Sequence, residues 1–183
     1  MKKLSLVFSS LILVLVLVGC APQNNANAVA SETLELPTVS GEDGKEEVQL
    51  PEISDQDFEH TIGGLCEYLE KTYAVTGEKT QMSYDVIDAQ DGYRYLFKYN
   101  KSPVQVEVYS FDPDKLTDAA RENIENVKAN GKLKVIDREL EAYIGGSGEY
   151  IMLYQDASKD EANVAQKERV VKLFEGFQTT ASK

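Results

Sequence analysis

Three segments of the chain place apolar side chains at helical spacing. In the first, Ser54 stands three residues before Asp57 in the arrangement of a capping box, and apolar residues follow at every third or fourth position. These apolar residues are Phe58, Ile62, Leu65, Cys66, Leu69 and Tyr73. Thr76-Gly77 ends this predicted helix, and the pair Gly63-Gly64 inside it predicts a close approach to another element.

The second and third helical segments carry their own start signals. Asp112-Pro113 offers an N-cap followed by a proline at the first helical position, and Asn130-Gly131 closes the segment. Its predicted buried residues are Leu116, Ala120, Ile124 and Val127. Ser158 and Glu161 form a second capping box, and the last helix is predicted to run to about Phe177. Its apolar side carries Val164, Val171, Phe174 and Phe177.

Alternation of apolar and polar residues predicts strands between the helices. Residues 84–89, 93–99 and 104–111 read as a three-stranded antiparallel meander, with Asp91-Gly92 and residues 100–103 as its turns. Three more strands are predicted at 132–137, 139–144 and 149–155. The predicted order is α-β-β-β-α-β-β-β-α. Short connections and alternation favour an α+β fold, in which helices cover one face of an antiparallel sheet.

The chain begins with a different pattern. Lys2 and Lys3 precede residues 4–19, which are uncharged and apolar. Sixteen residues are too few for a bilayer-spanning helix, which needs about 20. A positive start, a short apolar centre and a small-residue end are typical of a secretory signal peptide, here residues 1–19.

The end of that segment, Leu17-Val18-Gly19-Cys20, resembles the lipobox of bacterial lipoproteins. The resemblance covers only these first 20 residues, and residues 54–183 resemble no characterised family. It implies that Cys20 receives a diacylglyceryl group and becomes the mature N-terminus. Two acyl chains give a stable anchor, whereas one gives marginal binding. The expected location is therefore the extracytoplasmic face of the cell membrane, with the membrane as a partner through the lipid.

Charge and composition describe the segment that follows. The chain has 19 Lys and Arg against 31 Asp and Glu, a formal net charge of −12, so nucleic-acid phosphates would repel it. Residues 20–53 contain no aromatic side chain and many Asn, Ser, Gly, Pro and acidic residues. They predict a lipidated, disordered, acidic tether ahead of a single domain at 54–183.

The usual residues of metal and cofactor chemistry are scarce. If Cys20 is lipidated, Cys66 has no partner, and its place in a helical apolar stripe predicts a buried thiol. The chain has one histidine, His60, which the pattern places on a helix surface. No metal and no cofactor are therefore expected.

Two further patterns point toward hydrolases. Residues 145–148, GGSG, lack the last glycine of a nucleophile elbow and lead into a strand, so a hairpin turn is the better interpretation. Some of the many carboxylates will lie in pairs, as glycosidases require, but the sequence does not single out a catalytic pair.

The tyrosines are distinctive, since all ten lie between residues 68 and 154. Tyr93, Tyr95, Phe97 and Tyr99 share one strand face, which is interpreted as core rather than as an aromatic platform for a glycan or protein. Tyr109 alternates with valines, so it is expected to point away from the core and to contact a ligand.

These observations favour a membrane-anchored, extracytoplasmic binding or interaction module over an enzyme. The partner would be a protein or a glycan. The alternative is a cell-envelope hydrolase that uses a carboxylate pair, which a buried acid with a raised pKa would support. A transporter's substrate-binding protein is a third possibility, for which the domain is small.

Overall fold

The computed structural model describes residues 32–40, 46–146 and 148–178. The predicted signal peptide, Cys20 and the first part of the predicted tether lie outside these residues. None of the helices in the described ranges is long and apolar enough to cross a membrane.

A six-stranded sheet forms the centre of the fold. Its main path runs β1-β5-β6-β10-β9, and β4 also pairs with β5. All pairings in this sheet are antiparallel except that of β1 with β5. The strands are β1 (Glu32–Thr33), β4 (Thr80–Gln81), β5 (Asp91–Tyr99), β6 (Ser102–Ser110), β9 (Tyr143–Gly145) and β10 (Tyr150–Asp156).

Three α-helices and two small hairpins complete the described chain. The helices are α1 (Ile62–Lys71), α2 (Asp118–Asn130) and α3 (Glu161–Gly176). One hairpin pairs β2 (Thr38–Ser40) with β3 (Glu46–Val48), and the other pairs β7 (Lys132–Val135) with β8 (Arg138–Glu141). Short 3₁₀ helices span Asp55–Asp57, Tyr84–Ile87 and Pro113–Lys115.

The α+β class is confirmed, but the prediction that helices cover only one face of the sheet is wrong. Successive residues of a strand point to opposite faces. On β10, Met152 packs with residues of α1 and α3, whereas Ile151 and Leu153 pack with residues of α2 and β7. We call the α1 and α3 side the front face and the α2 side the back face. Both faces bury apolar side chains.

The predicted first strand of the meander is also wrong. Residues 84–87 form a 3₁₀ helix that ends at Asp88, whose φ is 56°. The Asp91-Gly92 pair begins β5 instead of turning the chain. Only two of the three strands remain, and they form the hairpin β5–β6, whose turn at Asn100-Lys101 is confirmed.

The first helix begins later than predicted. Ser54 caps only the short 3₁₀ helix, and Thr61 is the N-cap of α1, accepting a hydrogen bond from the Gly64 N–H at 3.1 Å. The close approach predicted for Gly63-Gly64 occurs at Gly64. A Cβ on Gly64 would lie 2.0 Å from the Glu59 carbonyl oxygen.

Part of the predicted tether is structured. Glu32 and Thr33 pair in parallel with Phe97 and Lys98, and Leu34 is buried in the front core. The structure therefore differs here from the disordered segment predicted up to residue 53. Leu34 and Leu36 supply the apolar surface that makes this added strand favourable.

The end of the described chain returns to the start of the domain. Phe177 is fully buried in the front core. The Gln178 side-chain amide donates hydrogen bonds to the carbonyl oxygens of Asp55 and Phe58, at 3.2 and 2.6 Å. The segment before α1 is thus held in place by residues that follow α3.

Candidate functional site

The cavity at one end of the sheet brings several chemically active side chains together. Its volume is about 540 Å³. The residues that line it come from the segment before α1, the start of β5, the end of β6 and the start of β10. We call this cavity the sheet-end cleft, and its lining residues are His60, Thr61, Ile62, Gln90, Asp91, Ser110, Phe111, Asp112, Pro113, Glu149 and Tyr150.

Strand register aligns three of these residues. Ser110 of β6 pairs with Asp91 of β5 on one side and with Tyr150 of β10 on the other. Directly opposed residues of antiparallel strands hold their Cβ atoms about 5 Å apart on the same face. A carboxylate, an aliphatic hydroxyl and a phenol therefore stand in a row across the front face.

A contact between His60 and Glu149 closes one side of the cleft. The His60 Nε2 atom lies 3.1 Å from the Glu149 Oε2 atom, and the imidazole ring is tilted over the Tyr150 ring at a centroid distance of 6.0 Å. His60 is exposed as predicted, but it lies ahead of the N-cap of α1 and not on the helix. Its position follows from the late start of that helix.

The cleft is acidic. Asp91, Asp112 and Glu149 line it, and none of its lining residues is lysine or arginine. Asp112 is already paired, since its Oδ2 atom accepts from the Lys115 ammonium at 2.7 Å. This pairing, together with the Asp114 N–H, lowers the pKa of Asp112.

Two hydroxyl groups that open into the cleft have no hydrogen-bond partner within the described chain. Ser110 is 8% exposed and Tyr150 is 4% exposed as whole residues, and neither side-chain oxygen is bonded. Burial raises the pKa of Tyr150 to about 12, so the phenol stays protonated at neutral pH. Neither oxygen is among the buried, unbonded side-chain atoms of the described residues, which are Arg94 Nε and Tyr154 Oη, so both hydroxyls remain open to solvent in the cleft.

The expected ligand contact, Tyr109, is buried in the back core with 2% of its surface exposed. The expectation that Tyr109 points away from the core is wrong, because α2 and β7 cover the face toward which its side chain points. Its hydroxyl donates to the Glu107 Oε2 atom at 2.8 Å. Burial and the nearby Glu107 charge raise the pKa of Tyr109.

The tyrosine-rich strand face is confirmed as core at its centre. Tyr95 and Phe97 are buried, whereas Tyr93 and Tyr99 at the two ends of the face are half-buried. The Tyr95 hydroxyl donates to the Glu70 Oε1 atom of α1 at 2.6 Å. These rings therefore hold α1 on the sheet and leave no broad aromatic platform on this strand.

Two other candidates behave as predicted. Cys66 is fully buried, and desolvation raises the pKa of its thiol to about 11. Gly145 ends β9, and Gly146 and Gly148, which lie between β9 and β10, adopt positive φ values of 60° and 105°. The two strands pair in antiparallel fashion, as expected for a hairpin.

Metal binding has no support within the described ranges, where no group of three His, Cys, Asp or Glu side chains is arranged to hold an ion. Cys20, the predicted lipidation site, lies outside the described residues, so it stays a prediction.

Sequence reasoning missed the residues that form the cleft. Asp91 was interpreted as part of a turn, Asp112 as a helix cap, and Glu149 as the residue after a glycine turn. Ser110 attracted no interpretation at all. A correct register for β5, β6 and β10 would have placed Asp91, Ser110 and Tyr150 side by side.

Comparisons with protein-family models, with curated proteins and with solved structures find no match to this chain.

Proposed function

We propose that this chain is a lipid-anchored, extracytoplasmic binding protein whose ligand occupies the sheet-end cleft. The anchoring half of the proposal is supported by the sequence Leu17-Val18-Gly19-Cys20 behind a short apolar run. The binding half is supported by the cleft. The observation that carries it is the Ser110 hydroxyl, which belongs to a residue only 8% exposed, opens into the cleft and has no bonding partner in the described chain.

The Ser110 hydroxyl supports a ligand because it opens into the cleft and the protein does not use its hydrogen-bonding capacity. Binding sites commonly combine a concave surface with a few polar groups that become satisfied when the ligand arrives. The cleft has this composition, with Ile62 and Phe111 beside the polar row.

The hydrolase alternative receives less support. A carboxylic acid that donates a proton near neutral pH needs a raised pKa. The pKa of Asp112, which lines the cleft, is shifted in the opposite direction, downward, chiefly by Lys115. A lowered pKa keeps this carboxyl group ionised, which suits a site that holds a fixed negative charge.

The anchoring half is tested by mass spectrometry of the protein purified from membranes. We expect a mature N-terminus at Cys20 carrying a diacylglyceryl group. The Cys20→Ala variant should leave the membrane fraction or remain an uncleaved precursor. A processed, membrane-bound Cys20→Ala protein would contradict the proposed anchor.

The binding half is tested by screening small ligands of positive, negative and zero charge for an increase in Tm. A ligand at a hundredfold excess over its Kd adds about 2.7 kcal/mol to the free energy of unfolding. At least one ligand should raise Tm and shift the amide resonances of cleft residues. A screen without such a ligand would contradict the proposed binding site.

A further inference from the structure

We propose, resting on the function proposed above, that the sheet-end cleft binds a primary ammonium group of a small organic ligand. The positive charge of the proposed ligand is inferred from the residues that line the cleft, which include three carboxylates and neither lysine nor arginine. Because Lys115 pairs with Asp112 and His60 contacts one oxygen of Glu149, the carboxylates left to hold a ligand are Asp91 and, through its second oxygen, Glu149.

Both carboxylates are held by protein partners on one side. The Asp91 Oδ1 atom accepts from the Gln81 side chain at 3.1 Å and from the Gly92 N–H at 2.8 Å. The Asp91 carboxylate also lies beside the Tyr93 hydroxyl, whose pKa it raises. The Glu149 Oε2 atom faces His60, and its Oε1 atom has no bond. The partners they do have fix the two carboxylates in place.

The hydroxyl groups of Ser110 and Tyr150, which open into the cleft, provide an observation independent of charge. Ser110 and Tyr150 are more than nine-tenths buried, line the cleft and have unbonded hydroxyl oxygens in the part of the chain described. The strand register places Ser110 between Asp91 and Tyr150. The carboxylate, the hydroxyl and the phenol stand in a row and can each accept a hydrogen bond. They therefore suit a single ligand group that carries several hydrogen-bond donors.

A primary ammonium group is such a donor, because it has three N–H bonds and no acceptor. A quaternary ammonium group has no N–H bond, so it would leave the Ser110 hydroxyl unpaired. A guanidinium group is planar and favours two parallel bonds to a single carboxylate. A metal ion is disfavoured because no three acidic, histidine or cysteine side chains in the described ranges converge.

The experiment uses the full chain and n-butylammonium chloride as the probe, at constant ionic strength. We expect saturable binding that shifts the amide resonances of Gly92, Ser110 and Tyr150. Tetramethylammonium, guanidinium and neutral n-butanol should each bind at least tenfold more weakly. Equal affinity for n-butylammonium and tetramethylammonium would overturn the proposal, because it would show attraction to charge alone.

Three variants sharpen the test. Glu149→Gln should weaken n-butylammonium binding about tenfold, because a charged partner of the ammonium is lost. Ser110→Ala should weaken it about fivefold without lowering Tm, since the hydroxyl has no protein partner to lose. Glu122→Gln makes the same charge change on the exposed side of α2, away from the cleft, and should alter affinity less than twofold.

The outcomes separate this proposal from the function on which it rests. Failure of n-butylammonium to bind would overturn the ammonium site. If an anionic or neutral ligand then shifted the cleft resonances, the proposed binding function would still hold. Equal losses in Ser110→Ala and Glu122→Gln would overturn the assigned role of Ser110.

Discussion

The His60 imidazole and the Glu149 carboxylate meet at 3.1 Å and join the segment before α1 to the turn that precedes β10. Half of the His60 side chain and 29% of the Glu149 side chain are exposed to solvent. We expect a double-mutant cycle with His60→Ala and Glu149→Gln to give a coupling of about 0.2–1 kcal/mol, because solvent screens exposed pairs.

The measurement is urea unfolding at pH 5.5, where imidazoles are mostly cationic and carboxylates mostly anionic. A coupling above 2 kcal/mol would contradict the exposure of the pair. The control cycle combines His60→Ala with Glu122→Gln, which lies on another element, and should give no coupling.

The adjacent glycines of α1 should respond to alanine in opposite directions. A Cβ on Gly63 would meet only the Thr61 hydroxyl, at 3.5 Å, so Gly63→Ala should stabilise the protein by about 0.5–1 kcal/mol. A Cβ on Gly64 would lie 2.0 Å from the backbone oxygen of Glu59. Gly64→Ala should therefore cost about 3 kcal/mol or more. Chemical denaturation of both variants checks the pair, and a stable Gly64→Ala protein would refute the close approach.

The turn between β5 and β6 should be improved by a glycine. Asn100 and Lys101 both have positive φ, 45° and 66°, as a two-residue turn of type I′ requires. An L-residue with a side chain is strained in this region by about 1–2 kcal/mol. Lys101→Gly should raise the free energy of unfolding by about 1 kcal/mol. The control Lys101→Ala keeps a Cβ and should change it by less than about 0.5 kcal/mol, so an equal gain in both variants would rule out relief of backbone strain.

The Cys66 thiol predicts how stability depends on alkaline pH. Burial raises its pKa from 9.0 to about 11, so the unfolded thiol ionises at a lower pH than the folded one. The contribution to stability is complete below pH 9 and is lost as the pH rises from 9 to 11. The loss is about 1.4 kcal/mol per pH unit within that window.

Unfolding free energies of the wild type and Cys66→Ala, measured from pH 8 to pH 11, isolate this contribution. Tyrosines contribute similarly to both proteins, so the wild-type curve should fall more steeply. In the Cys20→Ala chain, Cys66 should also resist alkylation at pH 8 until the protein unfolds. Rapid alkylation of the native protein would contradict the buried, protonated thiol.

Local sequence patterns predict an element correctly where the residues of that element alone determine its structure. Asn130-Gly131 ends α2 as predicted, and Gly131 adopts the left-handed conformation with φ of 62°. The strands at 93–99 and 104–111 were found from alternation because each has a buried front face. The α+β class follows from these elements.

The errors arose where packing between distant elements decides the structure. Tyr109 was placed outside because the sequence does not show that α2 folds back over the second face of the sheet. Residues 84–89 alternate as a strand would, yet Ile87 and Ala89 are buried in the back core from a 3₁₀ helix and its exit. The cleft was missed for the same reason, since Asp91, Ser110 and Tyr150 become neighbours only through strand register.

The bond between the Gln178 side chain and the Asp55 carbonyl joins residues 123 positions apart. A ribosome that adds about 5–20 residues per second needs roughly 6–25 s to make the intervening stretch. Throughout that time, Asp55 and Phe58, which lie just ahead of α1, lack the hydrogen bonds that the Gln178 side chain later donates to them. A nascent chain stalled before α3 would therefore leave the wall bearing His60 without this anchor, so the wall is completed only after translation has passed residue 178.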